Sequence, residues 1–134
     1  MVNIDLAELV RGALTECGCD DKLLSGFDGH STIELHFVGV PSIFVSEDNG
    51  DVWLWSRLYD QNENVISQHA DKLLSELMKG CEFCHTGQLQ LGTRDGFIEL
   101  RGMVDKDILH NNEMMAAAFN EFYDQIESYI EILK

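Results

Sequence analysis

The residues best suited to chemistry in this chain are gathered in one run, Cys81-Glu82-Phe83-Cys84-His85. It fits the C-x-x-C-H pattern of covalent haem attachment. That chemistry belongs outside the cytosol, and the opening Met1-Val2-Asn3-Ile4-Asp5 has no basic region of the kind an export signal carries, so no haem is expected. Together with Cys17 and Cys19 the same pair offers four thiolates, enough for a tetrahedral zinc site. Against zinc stand the C-x-C spacing of the first pair and the position of Cys17 on the apolar stripe of a helix. A thioredoxin-like redox pair prefers a helix start in a β-α-β setting, whereas this pair follows a helix end. The expectation is four reduced, partly buried thiols and no cofactor, with a cysteine-ligated zinc or redox protein as the alternative.

Other catalytic groups do not assemble from spacing. His30 and Ser31 are adjacent, Asp28 is close, and His36 alternates with apolar residues, but no nucleophile, base and orienting group fall together. Neither a G-x-x-x-x-G-K-S/T loop nor a G-x-G-x-x-G run is present, and the glycines sit where turns and helix ends need them. The chain is not expected to be an enzyme.

Composition points the same way. Nine Lys and Arg against 24 Asp and Glu leave a net charge of -15 over 134 residues, which repels nucleic-acid phosphates and anionic membranes. No apolar run approaches the ~20 residues that span a bilayer. A cytoplasmic protein with one domain over residues 1–134 and reduced cysteines is expected.

The elements that must position any site follow from periodicity. Leu6, Val10, Ala13, Leu14 and Cys17 mark a first helix over residues 4–17, with Asn3 as N-cap and Gly18 past its end. Thr32 to Phe37 alternates as a strand, and Pro41 separates it from the next. Ile43–Glu47 and Val52–Arg57 flank Asn49-Gly50, a type I′ turn pair, which sets Val45 opposite Leu54 and Phe44 opposite Trp55. Ile43, Val45, Val52 and Leu54 then share one face while Phe44, Trp53 and Trp55 share the other. Both faces are apolar, so something must cover the rings as well as the aliphatic side. Either the rings are core beneath the terminal helices, or the aliphatic side meets the helices and the rings form an open patch with Leu9 at its rim.

A second helix, Asn64 to Lys79, carries the stripe Ile66, Ala70, Leu73, Leu74, Leu77 and Met78 and ends at Gly80. A second hairpin, Gln88–Arg94 and Phe97–Val104, turns at Asp95-Gly96. Leu89, Leu91, Ile98 and Leu100 share one face and Gln88, Gln90, Glu99 and Arg101 a wet one. The last helix starts at Asn111 or Asn112 and buries Met115, Phe119, Phe122, Ile126, Tyr129, Ile130 and Leu133. The order helix-strand-strand-strand-helix-strand-strand-helix predicts an α+β fold, a twisted antiparallel sheet flanked by helices. Surplus apolar area without a visible catalyst suggests binding to protein.

Several runs distributed over the chain resemble the SpaK/InvB family of type III secretion chaperones, the multi-cargo subgroup of class I, and lie close to its invasion-protein B type. They are Asp5-Leu6-Ala7-Glu8-Leu9-Val10-Arg11, Gly18-Cys19-Asp20, His30-Ser31-Thr32-Ile33, Asp51-Val52-Trp53-Leu54-Trp55, Gly87-Gln88-Leu89-Gln90-Leu91-Gly92 and Asn120-Glu121-Phe122-Tyr123. The resemblance implies a non-enzymatic bacterial homodimer that holds the N-terminal segment of secreted effectors as an extended chain and keeps it soluble for delivery to the export apparatus and its ATPase. It implies joining of subunits through helix 2 and the second hairpin, with Leu73, Leu77, Leu89, Leu91, Ile98 and Leu100 as interface candidates. Leu9, Phe44, Trp53 and Trp55 are the effector-binding candidates. The Cys81/Cys84 pair departs from what the family needs.

Overall fold

Two dipeptide turns set most of the sheet's register. Asn49 and Gly50 have φ of 52° and 84°, and Asp95 and Gly96 of 52° and 82°, the paired left-handed geometry of a type I′ turn. The computed structural model describes residues 5–17 and 32–134. Its elements run α1 (Leu6–Glu16), β1 (Ile33–Leu35), β2 (Ile43–Asp48), β3 (Asp51–Asp60), α2 (Glu63–Met78), β4 (Gln90–Arg94), β5 (Phe97–Met103) and α3 (Asn112–Leu133). The five strands form one antiparallel sheet in the order β1-β2-β3-β5-β4. Across the first turn Phe44 pairs with Trp55 and Val45 with Leu54, as the turn chemistry predicts.

Strict alternation along β3 separates two environments. Val52, Leu54, Ser56 and Leu58 are buried, whereas Trp53, Trp55 and Arg57 are half-buried on the opposite face. The buried face carries Ile33, Leu35, Ile43, Val45 and Leu100 and shares one core with α1 and α3. Ser56, the polar intruder on that face, donates its hydroxyl to the Ser42 carbonyl at 2.9 Å. The aliphatic side therefore meets the helices, and among the described residues no helix covers the aromatic side.

Helix α1 is capped by Asp5, whose carboxylate accepts from the Glu8 N–H at 3.1 Å. The expected Asn3 cap and the Gly18 stop lie outside the described residues, as do Cys19, Asp28, His30 and Ser31. Cys17, expected on the apolar stripe, is exposed: it stands past the last helical residue, beyond the turn that packs. Helix α3 is capped by Asn111, which accepts from the Met114 N–H at 3.0 Å. Met115, Phe119, Phe122, Ile126, Tyr129 and Leu133 are all buried along it. Side chains of this size contribute on the order of 1.5 to 3 kcal/mol each before conformational entropy is subtracted, so α3 is the main strut of the core.

Two elements are shorter than periodicity predicts, and each has a local cause. Strand β1 stops at Leu35 because the chain is drawn off the sheet towards α3, where Phe37 packs edge-on against Tyr123 (6.1 Å) and the Tyr123 hydroxyl donates to the Val38 carbonyl at 2.8 Å. Strand β4 begins at Gln90 rather than Gln88 because Gln88 Nε2 donates to the Leu77 carbonyl at the end of α2. Among the described residues no helix is long and apolar enough to cross a membrane.

Candidate functional site

The cysteine run belongs to the core rather than to a site. The Glu121 carboxylate on α3 accepts from two successive amides, Glu82 N–H at 3.0 Å and Phe83 N–H at 3.1 Å, and Phe83 meets Phe122 edge-on at 5.9 Å. Cys84 bridges to Val104 beside β5. Gly102 is what admits the loop, because a Cβ there would come within 2.8 Å of both Cys84 Sγ and Leu89 Cδ2. Cys81 and Cys84 are buried, unbridged thiols. The Cys81 thiol is pushed well above the ordinary range by its hydrogen bond with Cys84, then by burial, so it stays protonated and weakly nucleophilic. Among the described residues no three His, Cys, Asp or Glu side chains stand close enough to hold a metal ion.

The open sheet face is where unusual geometry collects. Phe44 and Trp55 stack at 4.2 Å with 13° between their planes, and Trp55 Nε1–H donates to Ser46 Oγ at 2.9 Å, which holds the ring flat. Arg57 lays its guanidinium against three rings: 4.8 Å from the Phe97 centroid, 5.8 Å from Trp55 and 5.9 Å from Phe44. Arg94 lies 5.8 Å from the Trp55 ring on the same face. With Arg101, three of the chain's four arginines gather there, in a protein of net charge -15.

The second hairpin's outward face, expected to be wet, is partly closed. Glu99 is only 1% exposed, with Arg101 Nη1 at 3.4 Å and Arg94 Nη2 at 3.6 Å from its Oε1. The arginine stems and the neighbouring indoles exclude water from the carboxylate, an effect that alternation alone does not reveal.

Of the residues expected at an effector site, Phe44, Trp53 and Trp55 are brought together on this face, while Leu9 is buried in the helix-covered core. Of those expected at a subunit interface, Leu73, Leu89, Ile98 and Leu100 are buried within the chain, and Leu77 and Leu91 are half-buried. Outward apolar area on α2 lies instead on the row Ile66, Ala70, Leu74 and Met78, spaced by four, with Leu74 59% and Met78 71% exposed. Arg57, Arg94 and Phe97 are members of the ring-and-guanidinium face that sequence reasoning missed. Arg57 could have been found from alternation with Trp53 and Trp55; Arg94 and Phe97 needed the β3–β5 pairing.

The α+β fold is shared with a chain of the heterodimeric ExoU–SpcU complex from the type III secretion system of Pseudomonas aeruginosa, which superposes with a TM-score of 0.58 at 17% identity, covering 92% of this chain and 93% of that one. The model of the Invasion protein B family matches residues 18–95. Surface presentation of antigens protein SpaK from Salmonella typhimurium, and the protein of that name from Salmonella typhi, are each 41% identical over 129 residues, 96% of either chain. This chain belongs to the Invasion protein B family, the SpaK/InvB group of type III secretion chaperones.

Proposed function

We propose that this protein is a cytoplasmic, non-enzymatic homodimer, one domain per chain, that binds the N-terminal segment of secreted effectors as an extended polypeptide, keeps it secretion-competent and hands it to the export apparatus and its ATPase. The observation that carries the reading is the sheet face, not covered by any helix among the described residues, on which Phe44, Trp53 and Trp55 are set among Arg57 and Arg94. Large flat rings with little conformational freedom and stacked guanidinium groups are the side chains that dominate binding energy at protein interfaces. Effector capture on this face agrees with family membership and with the ExoU–SpcU pairing of the structural neighbour. A second copy of the chain is assigned to α2, where Leu74 and Met78 continue the apolar row and stand exposed among the described residues.

Cross-linking of the native protein in its own cytosol, followed by identification of the joined peptides, tests the reading. Cross-links from the β2–β3 hairpin to N-terminal segments of exported proteins are expected, with those segments protected from protease only while bound. Cross-links confined to folded domains, or to no exported protein, would overturn it.

A further inference from the structure

A second surface lies on α3, the helix that shares its core with the aliphatic side of the sheet, across the sheet from the rings. A groove of about 520 Å³ runs between that helix and the loop at Glu82 and Phe83. Its floor is apolar: Phe83, Ile108 and Ala118 are buried behind it, while Met114, 45% exposed, and Ala117 stand open to an occupant. Met114, Ala117, Glu121 and Asp124 recur at spacings of three and four, so they form one stripe about 15 Å long on α3. The two walls are tied to each other. The Glu121 carboxylate accepts from the Glu82 and Phe83 amides at 3.0 and 3.1 Å, so the shape of the groove is set before anything enters it.

Charge narrows the occupant. Glu82, Glu121 and Asp124 rim the groove, and no Lys or Arg lines it. Among the described residues none of these three carboxylates forms an ion pair, and the basic residues nearest in sequence, Lys79 and Lys106, turn instead to Glu76 and Asp51. An acidic segment would meet three like charges. A wholly apolar one would take the carboxylates out of water with nothing in exchange, and a wholly polar one would leave Met114 and Ala117 wet. Only a segment with both an apolar row and flanking cations satisfies floor and rim, and a straight stripe of this length matches about three turns of helix. We propose that this groove docks a basic amphipathic helix of a partner polypeptide, its apolar side chains on Met114 and Ala117 and its Lys or Arg side chains on Glu82, Glu121 and Asp124. The groove is separate from the face assigned to effectors, and its occupancy does not depend on that assignment.

The test uses the full-length protein and three capped dodecapeptides: one of Lys, Ala and Leu with Leu at helical spacing, one with Glu in place of Lys, and one with Ala in place of Leu. Binding is followed by NMR at the Met114 methyl and the Ala117 and Asp124 amides. The Lys and Leu peptide is expected to bind at least about tenfold more tightly than either counterpart and to shift those three signals. An acidic chain attracts cations everywhere, so variants must localise the effect. Ala117→Lys, at an exposed helical position, should weaken binding at least about tenfold, and the milder Asp124→Asn about threefold. Glu63→Gln makes the same change of net charge at the other end of β5, where the Gln61 N–H donates to the Gly96 carbonyl, and should leave affinity unchanged. Thermal melting confirms folding, and Asp124→Asn decides the case if Ala117→Lys does not fold. Equal affinities for the three peptides, shifts confined to other surfaces, a loss in Glu63→Gln as large as in the groove variants, or no binding at all would overturn the proposal.

Discussion

Phe44 and Trp55 are cross-strand partners whose rings stack 4.2 Å apart on the side of the sheet that no helix among the described residues covers. Trp55 is half-buried, unlike its neighbour Leu54, which is fully enclosed by the helices. Trp55→Ala is therefore expected to cost about 1 kcal/mol of stability, the scale of a stacked aromatic pair, well below the ~3 to 5 kcal/mol lost when a core ring is truncated. The same variant should bind an effector's N-terminal segment about 2 kcal/mol more weakly, roughly thirtyfold. Chemical denaturation and calorimetric titration on one preparation check both numbers. A collapse of stability with undiminished affinity would assign the ring to the core.

The row of Leu74 and Met78 on α2 yields an oligomer prediction. Light scattering should report about twice 15.2 kDa for the wild type. Leu74→Glu with Met78→Glu places two carboxylates on the outward row, where neither residue is core, so the helical circular dichroism signal should persist while the mass falls towards 15.2 kDa. A wild-type monomer at micromolar concentration, or an unaltered dimer in the double variant, would contradict the assignment.

Cys84 packs beside Gly102 and Val104 with Cys81 hydrogen-bonded to it, away from the open sheet face. Cys81→Ala with Cys84→Ala should cost about 1 to 3 kcal/mol through lost packing and leave effector affinity unchanged. In the native protein both thiols should resist alkylation at pH 8 and react fully in urea, because both are buried and because the Cys84 hydrogen bond, then burial, keeps the Cys81 proton in place. Peptide mapping after each labelling decides the matter, and rapid native alkylation of either residue would contradict the packing.

Tyr129 is fully buried on α3, and among the described residues its hydroxyl has no hydrogen-bond partner. Burial, then the charge of Glu76, pushes its pKa above the ordinary 10.0. The fold thus favours the neutral phenol. That preference is fully present below pH 10 and is lost as pH rises from the unfolded value towards the folded one, so stability should fall on the alkaline side. Tyr129→Phe removes the unpaired hydroxyl and should leave stability at pH 7 unchanged or raise it by up to ~1 kcal/mol, while flattening the decline above pH 10. Urea midpoints measured across that range test the sign, and a variant markedly less stable at pH 7 would show that the hydroxyl is satisfied.

Much of the fold was legible because its determinants are local. Asn49-Gly50 and Asp95-Gly96 take left-handed φ whatever surrounds them, and a two-residue turn leaves one register, so the pairing of Phe44 with Trp55 followed from a few adjacent residues. Helix types and the Asn111 cap of α3 were readable for the same reason, since that cap bonds an amide three residues along its own chain, whereas the Asp5 cap of α1 and the Asn62 cap of α2 were not anticipated. The exceptions were the short β1 and β4, set by Tyr123 and by the carbonyl of Leu77, partners distant in sequence.

By itself, the sequence determined the order and kind of the elements, the registers of the two hairpins, the acidity of the chain and the resemblance to its family. The tertiary structure decided which face of the β2–β3 hairpin the helices cover, because alternation makes both faces apolar and only the packing of α1 and α3 chooses between them. It also decided that Leu9 and Leu100 are core, that Leu74 and Met78 stand open, and that Glu99 is shut beneath Arg94 and Arg101. Each of those outcomes depends on contacts between strands and helices far apart in the chain, and burial is a property of such contacts rather than of the residue that undergoes it.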